Sequence, residues 1–261
     1  MTPRRFLRLL SWTPLAFTSA FASVAYAAAV LQSAKGDVRA GAGSVLPQPV
    51  EQNARLLSGT RVTTGAGAQA ILRFDDGQHV ILSQNTDFRI VDYRYSEGGS
   101  GNDRSVLDML RGALRVMTGQ IGQRNAAAFA LRLPQGTINI RGTDFMVAIV
   151  NPAFMGVLDG AIGFNTDLGT VAFGTGIYGS VASKTALPVS IPVSALPAEV
   201  ASAFGNLSAV TQTAAGGAAT GATAAEAGAV PAKGGSGAAL GAAAAAALLL
   251  GGGGGGTTTN H

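Results

Sequence analysis

Residues 131–150, LRLPQGTINIRGTDFMVAIV, hold two apolar-alternating runs that are out of phase with one another. Ile138 and Ile140 share a side in the first, and Phe145, Val147 and Ile149 share a side in the second. Alternation of period two marks a half-buried strand. Ile140 and Phe145 are an odd number of residues apart, so an unbroken pleat would send them to opposite faces. The backbone must therefore shift phase at Arg141-Gly142-Thr143-Asp144. Gly142, which has no Cβ, can supply that shift at a bulge or corner. The expected fold is all-β: short stacked strands with glycine corners, β-solenoid-like or sandwich-like, followed by a low-complexity C-terminal tail.

The rest of the chain follows the same grammar. One short strand is expected around Val38 after the turn Lys35-Gly36-Asp37, then a Gly/Pro-rich loop over residues 41–52 and a strand over 55–64 that breaks at Gly59. In residues 69–91, Ala70, Leu72 and Phe74 alternate, Asp75-Asp76-Gly77 interrupts, and Val80 and Leu82 resume. A three-residue loop with Gly77 left-handed pairs Leu72 with Val80 and Ala70 with Leu82, joining both apolar sets and keeping His79 out of the core. Phe88 and Ile90 continue as a further strand, and residues 96–104 read as a polar loop. Residues 106–117 read as two strand pieces around Gly112, and residues 124–133 as a strand burying Ala128, Ala130 and Leu131. Gly136 and Gly160 mark further turns between strands only a few residues long. No strict repeat can be aligned, so a regular β-helix does not follow from period alone.

The ends have a different character. Residues 1–27 carry Arg4, Arg5 and Arg8, an apolar stretch and Ala25-Tyr26-Ala27, which together read as a secretory signal cleaved after Ala27. The all-β domain is expected over 28–184, and an extended segment with a short helix from Ala198, Pro197 at its first turn and Glu199 near its positive end, over 185–211. Residues 212–261 are an Ala/Gly/Thr-rich tail that offers little to bury, so it is expected to be disordered. Its apolar run 238–250 is shorter than the ~20 residues of a membrane-crossing helix, which leaves membrane contact open but no stable span once the signal is removed. The expected location is the periplasm or the exterior of a Gram-negative cell.

The chain has no cysteine, so export cannot be accompanied by disulfides, a lipoprotein anchor or cysteine-ligated zinc. The formal charge of +4 includes the three arginines of the signal, too small a surplus to call for nucleic acid. Of two histidines, His79 is placed on a solvent face, which argues against a Ser-His-Asp site. Asp75 and Asp76 lack the spaced acidic loop a calcium ion needs and fit turn chemistry. A glycosidase would need paired carboxylates, for which Asp75, Asp87, Asp144 and Asp159 are the only offer made. No enzyme activity, metal or cofactor is expected. Arg141, Thr143 and Asp144 form a polar group at a strand junction and are the candidate partner surface, set against a purely local role in satisfying backbone donors.

These pieces resemble the FecR-domain family of bacterial envelope proteins. The resemblance lies in LSGTRVTTG at 57–65, AQAILRFDDG at 68–77, LRGALRV at 110–116, PQGTINIRGTDF at 134–145 and Leu158-Asp159-Gly160, in that order across residues 36–167. It implies a periplasmic, non-catalytic all-β module. In that family's regulators of iron-siderophore transport, such a module passes a signal from an outer-membrane receptor to a sigma factor. The leading expectation is an exported binding or scaffold module for an envelope protein or glycan. The alternative is a transmembrane regulator of that type, in which residues 9–24 stay uncut.

Overall fold

The computed structural model describes residues 28–216, with side chains to residue 210. Fifteen strands occur among these residues: β1 (Ala29–Lys35), β2 (Val38–Ala42), β3 (Gln48–Pro49), β4 (Arg55–Leu56), β5 (Thr60–Thr64), β6 (Gln69–Phe74), β7 (His79–Leu82), β8 (Asp87–Arg94), β9 (Arg104–Met117), β10 (Phe129–Leu133), β11 (Gly136–Ile149), β12 (Ala153–Thr166), β13 (Gly169–Gly174), β14 (Tyr178–Val181) and β15 (Val189–Ile191). Two α-helices accompany them, α1 (Gln120–Arg124) and α2 (Ala198–Gly216). All the strands belong to one sheet, antiparallel except where β9 runs parallel to β10.

Three fourteen-residue strands fold that sheet by changing partners half-way. Up to Arg111, β9 pairs with β8 and β10; from Gly112 it pairs with β11, and from Leu114 also with β7. β11 pairs with β10 up to Ile138 and with β9 from Asp144, while β12 accompanies it throughout. β12 itself leaves β14 after Gly156 and takes β13 from Ala161. The result is two leaves joined by shared strands. The first runs β3-β2-β5-β8-β9-β10-β11-β12-β13 and the second β4-β1-β6-β7-β9-β11-β12-β14-β15. Their apolar sides meet in one core that includes Phe88, Leu107, Ile138 and Phe164 from the first leaf and Leu72, Val80, Phe145 and Met155 from the second. Of the two forms expected from sequence, this is the sandwich-like one.

The corner between the leaves lies at the expected phase break. The β11–β12 register shifts between Arg141 and Asp144, and Ile138, Ile140, Phe145 and Val147 all point into the core, with Ile149 partly buried against it. Gly142 has φ +56°, and Gly160, facing it on β12, has φ +76°. A Cβ on Gly160 would land on the carbonyl oxygen of Gly142, whereas one on Gly142 would meet nothing within 4 Å, so it is at Gly160 that the two bends leave no room for a side chain. The expected β6–β7 hairpin also forms, with Leu72 opposite Val80, Ala70 opposite Leu82 and Gly77 at φ +83°.

Other expectations are corrected. β9 is one strand bent at Gly112, where a Cβ would lie 2.5 Å from the Cα of Thr86. The strands that turn the corner are long, because each serves two leaves in turn. A strand, β1, precedes the one at Val38, and β3 interrupts the loop over 41–52. In β10 the buried set is Phe129, Leu131 and Leu133, the opposite parity from Ala128 and Ala130; parallel pairing with β9 turns Phe129 inward. Residues 185–211 do not stand apart: β15 extends the second leaf, and α2 lies on that leaf's outer side. There Val200, Phe204 and Leu207 cover Ile81, Ala113, Met146, Ala148 and Phe154. Each of these three helix side chains contributes at most about 1.5–3 kcal/mol by leaving water. The expected signal, residues 1–27, and residues 217–261 of the expected tail lie outside the described residues; residues 212–216, expected to be disordered, belong to α2.

Candidate docking face

The outer side of the second leaf is covered by α2, whereas the outer side of the first leaf carries no covering element among the described residues. Its outward residues are mostly exposed or half-buried and mostly polar or small, Val106 being a buried exception, and they are aligned by strand register. One row crosses the seven strands after β2: Arg61 faces Arg89, Arg89 faces Asp108, Asp108 faces Arg132, Arg132 faces Thr137, Thr137 faces Asn165, and Asn165 faces Thr170. A second row sets Asn139 beside Gly163 and Ala172, and a third sets Arg141 beside Ala161 and Gly174. Arg61 is committed to Asp87, whose carboxylate accepts from two of its nitrogens and, by that hydrogen bond and by charge, raises the Arg61 pKa. Arg89, Arg132 and Arg141 are exposed and make no hydrogen bond or ion pair among the described residues.

Of the three residues expected to form a partner surface, only Arg141 stands on this face. Thr143 is buried, its N–H donating to the Thr118 hydroxyl (2.9 Å) and its carbonyl accepting from the Thr118 N–H and hydroxyl (3.0 Å each). Asp144 receives Arg115, Nε to Oδ1 at 2.8 Å and Nη2 to Oδ2 at 2.5 Å, and the pair is largely shielded from solvent. Nη1 of the same arginine donates to the α2 carbonyls of Leu207 and Ser208. Asp144 thus ties the corner to the helix rather than satisfying local backbone donors. The five glycines expected at turns, Gly77, Gly112, Gly136, Gly142 and Gly160, all have positive φ, but Gly112, Gly142 and Gly160 bend the continuous strands β9, β11 and β12 from within rather than joining separate strands.

The acidic residues considered for chemistry are dispersed. Asp76 is buried behind its turn: its carboxylate accepts from the Tyr93 hydroxyl and the Gln78 N–H (3.1 Å each) and from the Ile121 N–H (3.2 Å), fixing the start of α1. Burial, and then the Asp76 charge, push the Tyr93 phenol well above its ordinary pKa. Burial also raises Asp75. Asp87 and Asp144 are spent on arginines, and Asp159 is exposed. His79 is half-buried on the outer side of the second leaf, Nδ1 3.0 Å from the Gly77 carbonyl oxygen. No group of three or more His, Asp or Glu placed to hold a metal ion occurs among the described residues.

A protein-family model described as FecR protein matches residues 60–163, from the start of β5 to a point in β12 beyond its bend at Gly160. Residues 60–163 are a FecR domain. Arg89, Asp108, Arg132 and Arg141 lie inside it, as do all three corner-turning strands through their bends. β1–β4, β13–β15 and α2 add to the FecR domain on both leaves. Among solved structures, two crystal structures of a candidate anti-sigma factor from Parabacteroides distasonis, at 1.65 and 2.50 Å, share 15% identity with the chain, with TM-scores of 0.40 and 0.41. The match covers 50% of this chain and 58% of theirs, so the chain spans little more than half of those relatives. No curated protein matches the chain.

Proposed function

We propose that the chain is an exported, non-catalytic docking module whose FecR domain holds a protein partner of the bacterial envelope against the outer side of its first leaf. The asymmetry of the two leaves carries this reading: the apolar outer side of the second is sealed by α2, while the first presents a flat polar surface with three unspent arginines. Flatness follows from register, because Ala161, Gly163, Ala172 and Gly174 leave no bulk along one half of the face. Such a surface suits a macromolecule better than a small ligand, which needs concavity.

Tryptophan placed at Asn139 or Ala172 raises an obstacle on that surface without entering the core, and Ser202→Trp does the same on the exposed side of α2. Partner capture in intact cells is expected to be lost in the first two variants and kept in the third. Capture that survives both first-leaf variants overturns the assignment. The regulator reading rests on the same FecR domain and differs at residues 9–24, which it requires to remain uncut. A mature chain beginning at Ala28 excludes it, and a chain retaining Met1 supports it. No helix among the described residues is long and apolar enough to cross a membrane, so on either reading these residues do not supply a helical anchor.

A further inference from the structure

Within the docking face, the triplet Arg89–Asp108–Arg132 alternates in charge on three adjacent strands. Neighbouring strands are about 4.8 Å apart, so the two arginine positions are about 10 Å apart with the carboxylate midway. Oppositely charged residues directly across a sheet ordinarily pair. Here they do not: no ion pair within 4.0 Å joins Asp108 to either arginine, and its Oδ1 is buried without a hydrogen-bond partner among the described residues. On the other side of Arg89 stands Arg61, a like charge directly opposite, whose own guanidinium is taken up by Asp87. Arg89 is therefore left with a cationic neighbour and an unused fork of donors, and Arg132 with an unused fork of its own. Arginine forks match carboxylates and phosphates in two-point geometry.

Resting on the docking reading above, we propose that this triplet receives a net-acidic, mixed-charge polypeptide segment, two of its carboxylates on Arg89 and Arg132 and a hydrogen-bond donor on Asp108 between them. A polyanion of uniform charge, such as an acidic polysaccharide, matches the arginines but meets repulsion at Asp108 and leaves it without a charged donor. A polypeptide supplies lysine, arginine, amide or hydroxyl donors between acidic residues. The small residues on β12 and β13, on the far side of β11 from Arg132, give such a segment room for its backbone along the rest of the face.

The test places a photo-crosslinking amino acid at Asn139 of the full chain in its native cell, maps the segment joined to it, and titrates that segment, made synthetically, against purified variants. No adduct at Asn139 would overturn the docking reading itself. A glycan adduct, or a segment without acidic residues, would leave the face in use but overturn its occupant. The expected segment is net-acidic. Arg89→Glu with Arg132→Glu should weaken its binding by about tenfold or more at unchanged melting temperature, as removal of two close charge pairs at an interface does. The same segment with its acids changed to lysine should bind this double variant again. Asp108→Lys should weaken the original segment and tighten dextran sulfate. Unchanged affinity in the double variant, or tighter binding of dextran sulfate than of the segment to the wild-type chain, contradicts the proposal.

Discussion

A methyl group on Gly160 should break the corner that a methyl group on Gly142 leaves standing. Both glycines have positive φ, +76° and +56°, which costs a residue with a Cβ about 1–2 kcal/mol. Restricting the unfolded chain returns about 0.4–1 kcal/mol in each case. Gly142 has nothing within 4 Å of the position a Cβ would take, so Gly142→Ala should cost about 0.5–1.5 kcal/mol. At Gly160 the Cβ would fall on the Gly142 carbonyl oxygen, 3.1 Å from its carbon and 3.0 Å from Thr143 Cγ2. Backbone cannot swing aside as a side-chain tip can, and overpacking adds about 1–3 kcal/mol, for a total of about 2–4. For a chain of this size, 1 kcal/mol moves Tm by roughly 2–4 °C, so Gly160→Ala should lower it by about 5–15 °C and Gly142→Ala by about 1–5 °C. Gly174→Ala, with ordinary φ and open space, should stay within about 0.5 kcal/mol of wild type. Calorimetric melting of the purified chain decides. Equal losses at Gly160 and Gly142 would refute the claim that the two bends interlock.

Asp144→Ala leaves the Arg115 guanidinium, one-tenth exposed, without its carboxylate, and should cost about 2–3 kcal/mol by urea titration. Arg141→Ala should remain within about 0.5 kcal/mol of wild type while weakening partner capture. Phe204→Ala should cost about 2–4 kcal/mol and strip hydrogen-exchange protection from α2 before either leaf loses it, because that ring anchors the helix on the second leaf. The raised Tyr93 pKa means that its neutral form stabilises the fold fully below the unfolded tyrosine value of about 10 and loses that contribution as pH rises toward the folded value. Alkaline destabilisation above that pH should therefore be shallower in Tyr93→Phe, as read by melting temperature against pH.

Local chemistry made the corner and the β6–β7 hairpin legible. The parity break between Ile140 and Phe145 and the spacing of Leu72 from Val80 are both fixed within a dozen residues. Parity failed at β10, where two alanines and two larger residues compete for the core and the decision belongs to the neighbouring strand. Asp144 looked available because its counter-ion, Arg115, lies on another strand and serves α2 as well. The triplet proposed for docking was out of reach for the same reason: Arg89, Asp108 and Arg132 come from three strands and meet only through register. A pattern of net charge would not find them, since the carboxylate in the middle conceals the pair of arginines around it.

Arginine modification by phenylglyoxal, compared between the purified chain and the chain in its native envelope, tests the docking face most directly. The chain's cations are fifteen arginines and three lysines, so the reagent samples both leaves. Arg89, Arg132 and Arg141 on the first leaf are exposed, as are Arg55 and Arg73 on strands of the second. Partner binding on the first leaf should slow modification of Arg89, Arg132 and Arg141 in the envelope and leave Arg55 and Arg73 unchanged. Protection of Arg55 and Arg73 with the first-leaf arginines still reactive would contradict it.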